Sequence, residues 1–152
     1  MTMEYSDNGD LFDLTTKMGN FSDKAILRHL VSQLCSGLDH LHTKAEHCHL
    51  DLKLDNILIG NDYKLKICDL GFAKPVSEQI TKTYGTYNYM APEIIDKKTG
   101  EHYNGVQADI FSLGVIIFVL YIGKPPFSTA KSTDRYYSLL KRKPESYFRL
   151  AP

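Results

Sequence analysis

"HCHLDLKLDNILIGNDYKLKICDLG", residues 47–71, sets Asp51, Lys53, Asp55 and Asn56 directly before a strand-turn-strand pattern. The runs "NILIG" and "KLKICD" are β-like, and Gly60-Asn61-Asp62 between them is a turn-forming cluster, which predicts a hairpin. A tight hairpin brings its two ends together, so Asn56 and Asp69 should meet at its base. An amide oxygen and a carboxylate converging there are hard donors of the kind magnesium takes. Lys53 beside them is placed to neutralise a phosphate, and Asp51 to accept a proton from an attacking hydroxyl. Taken alone, a D-x-K-x-x-N run reads more readily as ordinary loop solvation. His47, Cys48 and His49 suggest zinc, but zinc needs three or four converging ligands and no second pair follows.

The chain has 152 residues, enough for one domain with a core, and 43% are hydrophobic. Eighteen basic residues balance eighteen acidic ones, so no global field favours nucleic acid or a membrane surface, and neither is expected as a partner. Cys35, Cys48 and Cys68 form no short-loop framework and read as free thiols of a reducing compartment. The most apolar run, Leu113 to Gly123, falls short of the roughly 20 residues that span a bilayer and reads as a buried core helix. The first residues lack the order of a signal peptide, and the expected location is the cytoplasm or the nucleus.

Upstream of the quoted stretch, Ile26, Leu27, Leu30, Val31, Leu34, Leu38 and Leu41 recur at three-and-four spacing, a long amphipathic helix with Ser22 as its expected N-cap. Residues 70–90 are rich in Gly, Thr, Tyr and Lys without a sustained period, which predicts a long ordered loop. A short helix should open near Ala91-Pro92-Glu93, the core helix should span about Gln107 to Ile122, and a last helix Thr133 to Arg142.

"HLDLKLDN", "DLG" and "APE", in that order, resemble the catalytic loop, the magnesium-binding motif and the end of the activation segment of the eukaryotic protein kinases. "GTYNYMAPE" and "DLKLDN" are similar to the serine/threonine branch, nearest to calcium/calmodulin-dependent or cyclic-AMP-dependent types, and "DIFSLGV" resembles the start of the central kinase helix with Phe111 for Trp. "MEYSDNGDLFDL" resembles the hinge and the helix after it. The resemblance implies a serine/threonine kinase using ATP and Mg2+ on a protein substrate. Asp51 would be the base, Lys53 the γ-phosphate contact, Asn56 and Asp69 the metal ligands, and Thr86 a partner of Asp51 and Lys53. It makes Met3 the gatekeeper, gives Glu4 and Ser6 backbone contacts to adenine, and sets Leu58 as the floor of that pocket. Asp10 and Asp55 stand where basophilic relatives bind arginines upstream of the acceptor Ser or Thr. His49 is expected to brace the loop, and the Asp109 carboxylate to hold its backbone.

The implied fold is the large C-terminal lobe, mainly α with a small hairpin at the cleft and the small N-terminal lobe absent. Residues 1–8 would be the hinge and 9–152 an incomplete large lobe lacking its final helices. No G-x-G-x-x-G occurs, and the glycine-rich loop and its lysine would lie outside these residues. Such a chain is expected to be inactive by itself and marginally stable, with Glu93 unpaired; a non-catalytic binding module is the alternative. Leu50 replaces the arginine that grips an activation-loop phosphate, and Lys82 stands where many relatives carry the phosphorylated threonine, which implies independence from that modification. Leu70 replaces the Phe of D-F-G and is expected to remain an apolar plug.

Overall fold

The computed structural model describes residues 5–150. In chain order these form α1 (Leu11–Met18), α2 (Lys24–Thr43), β1 (His47–Cys48), a 3-10 turn at Leu54–Asn56, β2 (Ile57–Ile59), β3 (Leu65–Ile67) and β4 (Lys74–Pro75). There follow α3 (Pro92–Ile95), α4 (Gly105–Ile122), α5 (Arg135–Arg142) and α6 (Pro144–Leu150). Met3 and Glu4 of the expected hinge lie outside the described residues.

Helix α2 is capped by Asp23, whose carboxylate accepts the amides of Ala25 and Ile26, and not by Ser22 as expected. The carboxylate reaches two of the orphan donors of the first turn, and substituting such a cap typically costs about 1 kcal/mol. Leu30, Leu34 and Leu38 bury the stripe predicted from spacing. They meet Leu113, Val115, Ile116, Val119 and Leu120 of α4 in the main core. At roughly 1.5 to 3 kcal/mol per buried aliphatic side chain, this α2–α4 packing is the principal scaffold.

Helix α4 is apolar and long enough to cross a membrane by length and composition. In this fold it is the central core helix, with Ala108, Asp109, Ser112 and Ile116 buried among its neighbours. Gly105 opens it where a Cβ would lie 2.7 Å from the Cys48 sulfur, so only glycine lets α4 start against β1.

Strands β2 and β3 pair antiparallel, Ile57 with Ile67 and Ile59 with Leu65, the hairpin anticipated from the turn cluster. Ile57 and Ile59 face the core while Leu58 sits on the opposite, half-buried face. The long loop after Asp69 contains one strand that its composition did not signal: β4 pairs with β1, His47 with Pro75 and Cys48 with Lys74. Ile80 bridges Tyr103 further along. These contacts close a second core of Cys48, Leu50, Ile80, Met90, Ala91, Ile94, Tyr103 and Ala108 beneath the activation-type loop.

Helix α5 begins two residues later than expected and is capped by Asp134. It is not the last helix, because α6 follows from Pro144. Glu93 is exposed, and among the described residues no cation pairs with it. A hydrated carboxylate bears none of the cost of a buried unpaired charge, which removes the reason given for marginal stability.

Candidate active site

Residue Asp109 organises the site from below. It is 1% exposed, and its carboxylate accepts three hydrogen bonds, from the backbone amides of His49 (2.7 Å) and Leu50 (2.8 Å) and from His42 Nε2 (2.8 Å). Two adjacent amides pointing at one carboxylate fix the direction of the loop, and they hold Leu50 at φ 67, a left-handed conformation that branched or bulky residues seldom adopt. The Leu50 side chain is packed into the second core, where an arginine's charge would be buried.

Completely buried, His49 links two loops. Its Nδ1 accepts the Asp51 amide (3.2 Å), so the ring proton is assigned to Nε2, which donates to the Cys68 carbonyl (2.8 Å). The loop carrying Asp51 is thereby tied to the residue preceding Asp69. From the other side, the Cys68 amide donates to the Asn56 carbonyl (2.9 Å), so the hairpin ends do meet at its base.

Only 7% of Asp51 is exposed. Its carboxylate accepts from Thr86 Oγ1 (2.7 Å), Lys53 Nζ (3.0 Å) and Asn56 Nδ2 (3.4 Å), and Asn56 Nδ2 also donates to the Asp51 carbonyl (2.9 Å). Lys53 Nζ reaches Thr86 Oγ1 as well (3.3 Å). Asp51, Lys53, Asn56 and Thr86 therefore form one network. Thr86 arrives from a distant loop because Gly85 precedes it: at φ +106, a Cβ there would stand 2.7 Å from the Leu50 carbonyl. Ordinary residues are excluded at that point.

With Asn56 Nδ2 donating to Asp51, the Asn56 amide oxygen is directed elsewhere. Asp69, exposed and at φ 61, has Oδ1 accepting the Gly71 amide (3.2 Å), which leaves Oδ2. Two hard oxygens on chain segments joined by a backbone hydrogen bond fit a magnesium ion better than the histidines do. Among the described residues no group of three or more His, Cys, Asp or Glu converges.

The outer residues are less tightly gathered. Asp10 caps α1 by accepting the Asp13 amide (2.8 Å) and bridges Leu58. The Ser6 carbonyl accepts the Gly9 amide (3.4 Å) in a turn. Asp55 is exposed beside Tyr89, whose phenol is pushed up in pKa by burial first and the Asp55 charge second. Leu70 corrects the plug expectation: it is 53% exposed and lines a shallow cavity with Leu34, Leu41 and Ile67 rather than packing beneath Asp69. Burial raises the Cys68 thiol, with Asp69 and Asp10 adding to the shift, so it stays protonated. His42 was missed entirely; its place in the last turn of α2, just ahead of the loop, is the only signal the sequence offers.

The protein kinase domain model matches residues 1–149. Similar proteins include the serine/threonine-protein kinases SRK2G of Arabidopsis thaliana, 35% identical, and SAPK1 of Oryza sativa subsp. japonica, 38% identical. A third is SRK2A of Physcomitrium patens, 36% identical. Each alignment covers 93% of this chain but only 40 to 41% of the relative. The buried Asp51 network, the base of the hairpin and a family match running almost the whole chain agree, and the chain belongs to the protein kinase family, with relatives of the serine/threonine type.

Proposed function

We propose that this chain is the part of a serine/threonine kinase domain that runs from the hinge onward through the large lobe, and that it supplies the residues for transfer of the γ-phosphoryl group of ATP to a protein Ser or Thr hydroxyl. The observation that carries this reading is the four-residue network around Asp51. Asp51 lies at the mouth of the loop as proton acceptor, a role generally worth about 10²- to 10⁴-fold in rate. The Lys53 ammonium, 3.0 Å from the Asp51 carboxylate, offers positive charge to the transferred group, while Thr86 fixes the carboxylate rotamer and carries the activation-type loop to it. Asn56 and Asp69 would hold magnesium, which would supply neutralisation of phosphate charge when bound.

Asp10 and Asp55 favour a basic residue upstream of the acceptor, as in the calcium/calmodulin- and cyclic-AMP-dependent kinases. Leu50 lies in an apolar cluster with Ile80, Met90 and Tyr103, so the loop is braced by packing rather than by a phosphate grip. Free thiols at Cys35, Cys48 and Cys68 suit the cytosol or nucleus. The test is to incubate the full-length protein with labelled ATP, magnesium and mixed Ser, Thr and Tyr peptides. Magnesium-dependent phosphoserine and phosphothreonine are expected. Phosphotyrosine alone contradicts the reading, and ATP binding without any transfer favours the non-catalytic module.

A further inference from the structure

Helix α5 has two faces of opposite character. At about 100° per residue, Tyr137 and Leu140 share one side, where they pack against the main core. Tyr137 also faces Glu93 and Asp96, whose charges add to burial in pushing its phenol up. Arg135, Ser138, Leu139 and Arg142 fall on the other side. That side lines an open cleft of about 400 Å³, bordered by Lys143 and Leu150.

The positive charge there is unspent. Residues 131–150 hold six Lys or Arg and two acids, within a chain whose cations and acids balance. One of the acids, Asp134, lines the same cleft, but its carboxylate accepts the amides of Tyr137 (2.9 Å), Ser128 (3.1 Å) and Thr129 (3.2 Å). Among the described residues, Arg135, Arg142 and Lys143 form no ion pair.

We propose that this face of α5 is a docking site for an acidic or phosphorylated segment of a protein partner. Arg135 and Arg142 stand two turns apart, about 10 Å along the axis, close to the rise of one three-residue turn of a polyproline-II segment, in which residues three apart share a face. Acidic groups three apart in a bound segment can reach both guanidiniums, which grip carboxylate or phosphate bidentately. Ser138 lies between them as a neutral hydrogen-bond partner. Leu139 and Leu150 give the segment an apolar floor. A concave cleft with leucines in its lining suits a peptide better than a flat lipid surface or a nucleic-acid duplex. The inference does not rest on phosphoryl transfer, because binding alone reads it out.

A fluorescein-labelled dodecapeptide with glutamates three apart, and its phosphoserine counterpart, are titrated by anisotropy into the full-length protein. Both should bind, while the glutamine version should not. Arg135→Ser/Arg142→Ser should weaken binding at least about tenfold, added salt should weaken it further, and Ser138→Asp should abolish it. All three sites are on a surface helix, and unchanged circular dichroism would establish that the variants fold. Binding by the double variant within about twofold of the parent overturns the proposal. So does displacement of the peptide by phosphatidylserine vesicles or duplex RNA more readily than by unlabelled peptide, which would assign the face to those ligands.

Discussion

Two polar loops flank the hairpin, and they are built in opposite ways. In the first, His49, Asp51 and Asn56 are all under 8% exposed, and each is bonded to the chain around it. In the second, Asp69 is exposed and bonded through its carboxylate to the nearby Gly71 amide, with Leu70 and Phe72 about half exposed beside it. The first loop is positioned before any ligand arrives, the arrangement that gives a charged group its catalytic leverage. The second presents its carboxylate and apolar side chains to solvent.

The contrast can be broken most severely at Asp109. Replacing it with Ala leaves the His49 and Leu50 amides and the His42 ring without their acceptor, and should cost about 3 to 5 kcal/mol of stability in a denaturant titration. Gly85→Ala is next. The positive φ and the close Leu50 carbonyl should make it destabilising by roughly 1 to 3 kcal/mol, with a loss of phosphoryl transfer as Thr86 is pushed off Asp51. Asp69→Ala sharpens the contrast from the other side: transfer should collapse while unfolding stability changes by less than about 0.5 kcal/mol, as at exposed sites. A large stability loss there would show that the second loop is as tightly built as the first.

Smaller effects follow from pH and from the loop surface. Burial and the Asp109 charge push the Cys48 thiol from 9.0 to about 11. Its folded pKa lies above the unfolded one, so the native state keeps the proton longer, and stability should fall as pH rises from about 9 to about 11. Cys48→Ser should flatten that slope. Thr81 and Thr83 are exposed and outside the Asp51 network, so their double alanine variant should keep phosphoryl transfer within about twofold.

Periodicity and turn chemistry are local, and what depends on them was readable: α2 from its leucine stripe, the hairpin from Gly60-Asn61-Asp62, and α4 from its apolar run. Helix α6 escaped because Lys143-Pro144 reads as a stop, although proline is equally suited to the first position of a new helix. The D-x-K-x-x-N spacing carried Asp51, Lys53 and Asn56, and the family resemblance carried Thr86 and Asp109. The His42–Asp109 contact joins residues 67 apart and depends on how α2 crosses α4, which no local pattern encodes. Leu70 failed for a related reason: an apolar letter states a preference for burial, but only the surrounding packing decides whether a pocket exists for it.

The most direct test is γ-phosphoryl transfer by the full-length protein carrying Asp51→Asn, measured with its ATP affinity. Transfer should fall by about 10²- to 10⁴-fold while ATP binding stays within about twofold. Transfer within about twofold of the parent would contradict the assignment of Asp51 as the proton acceptor.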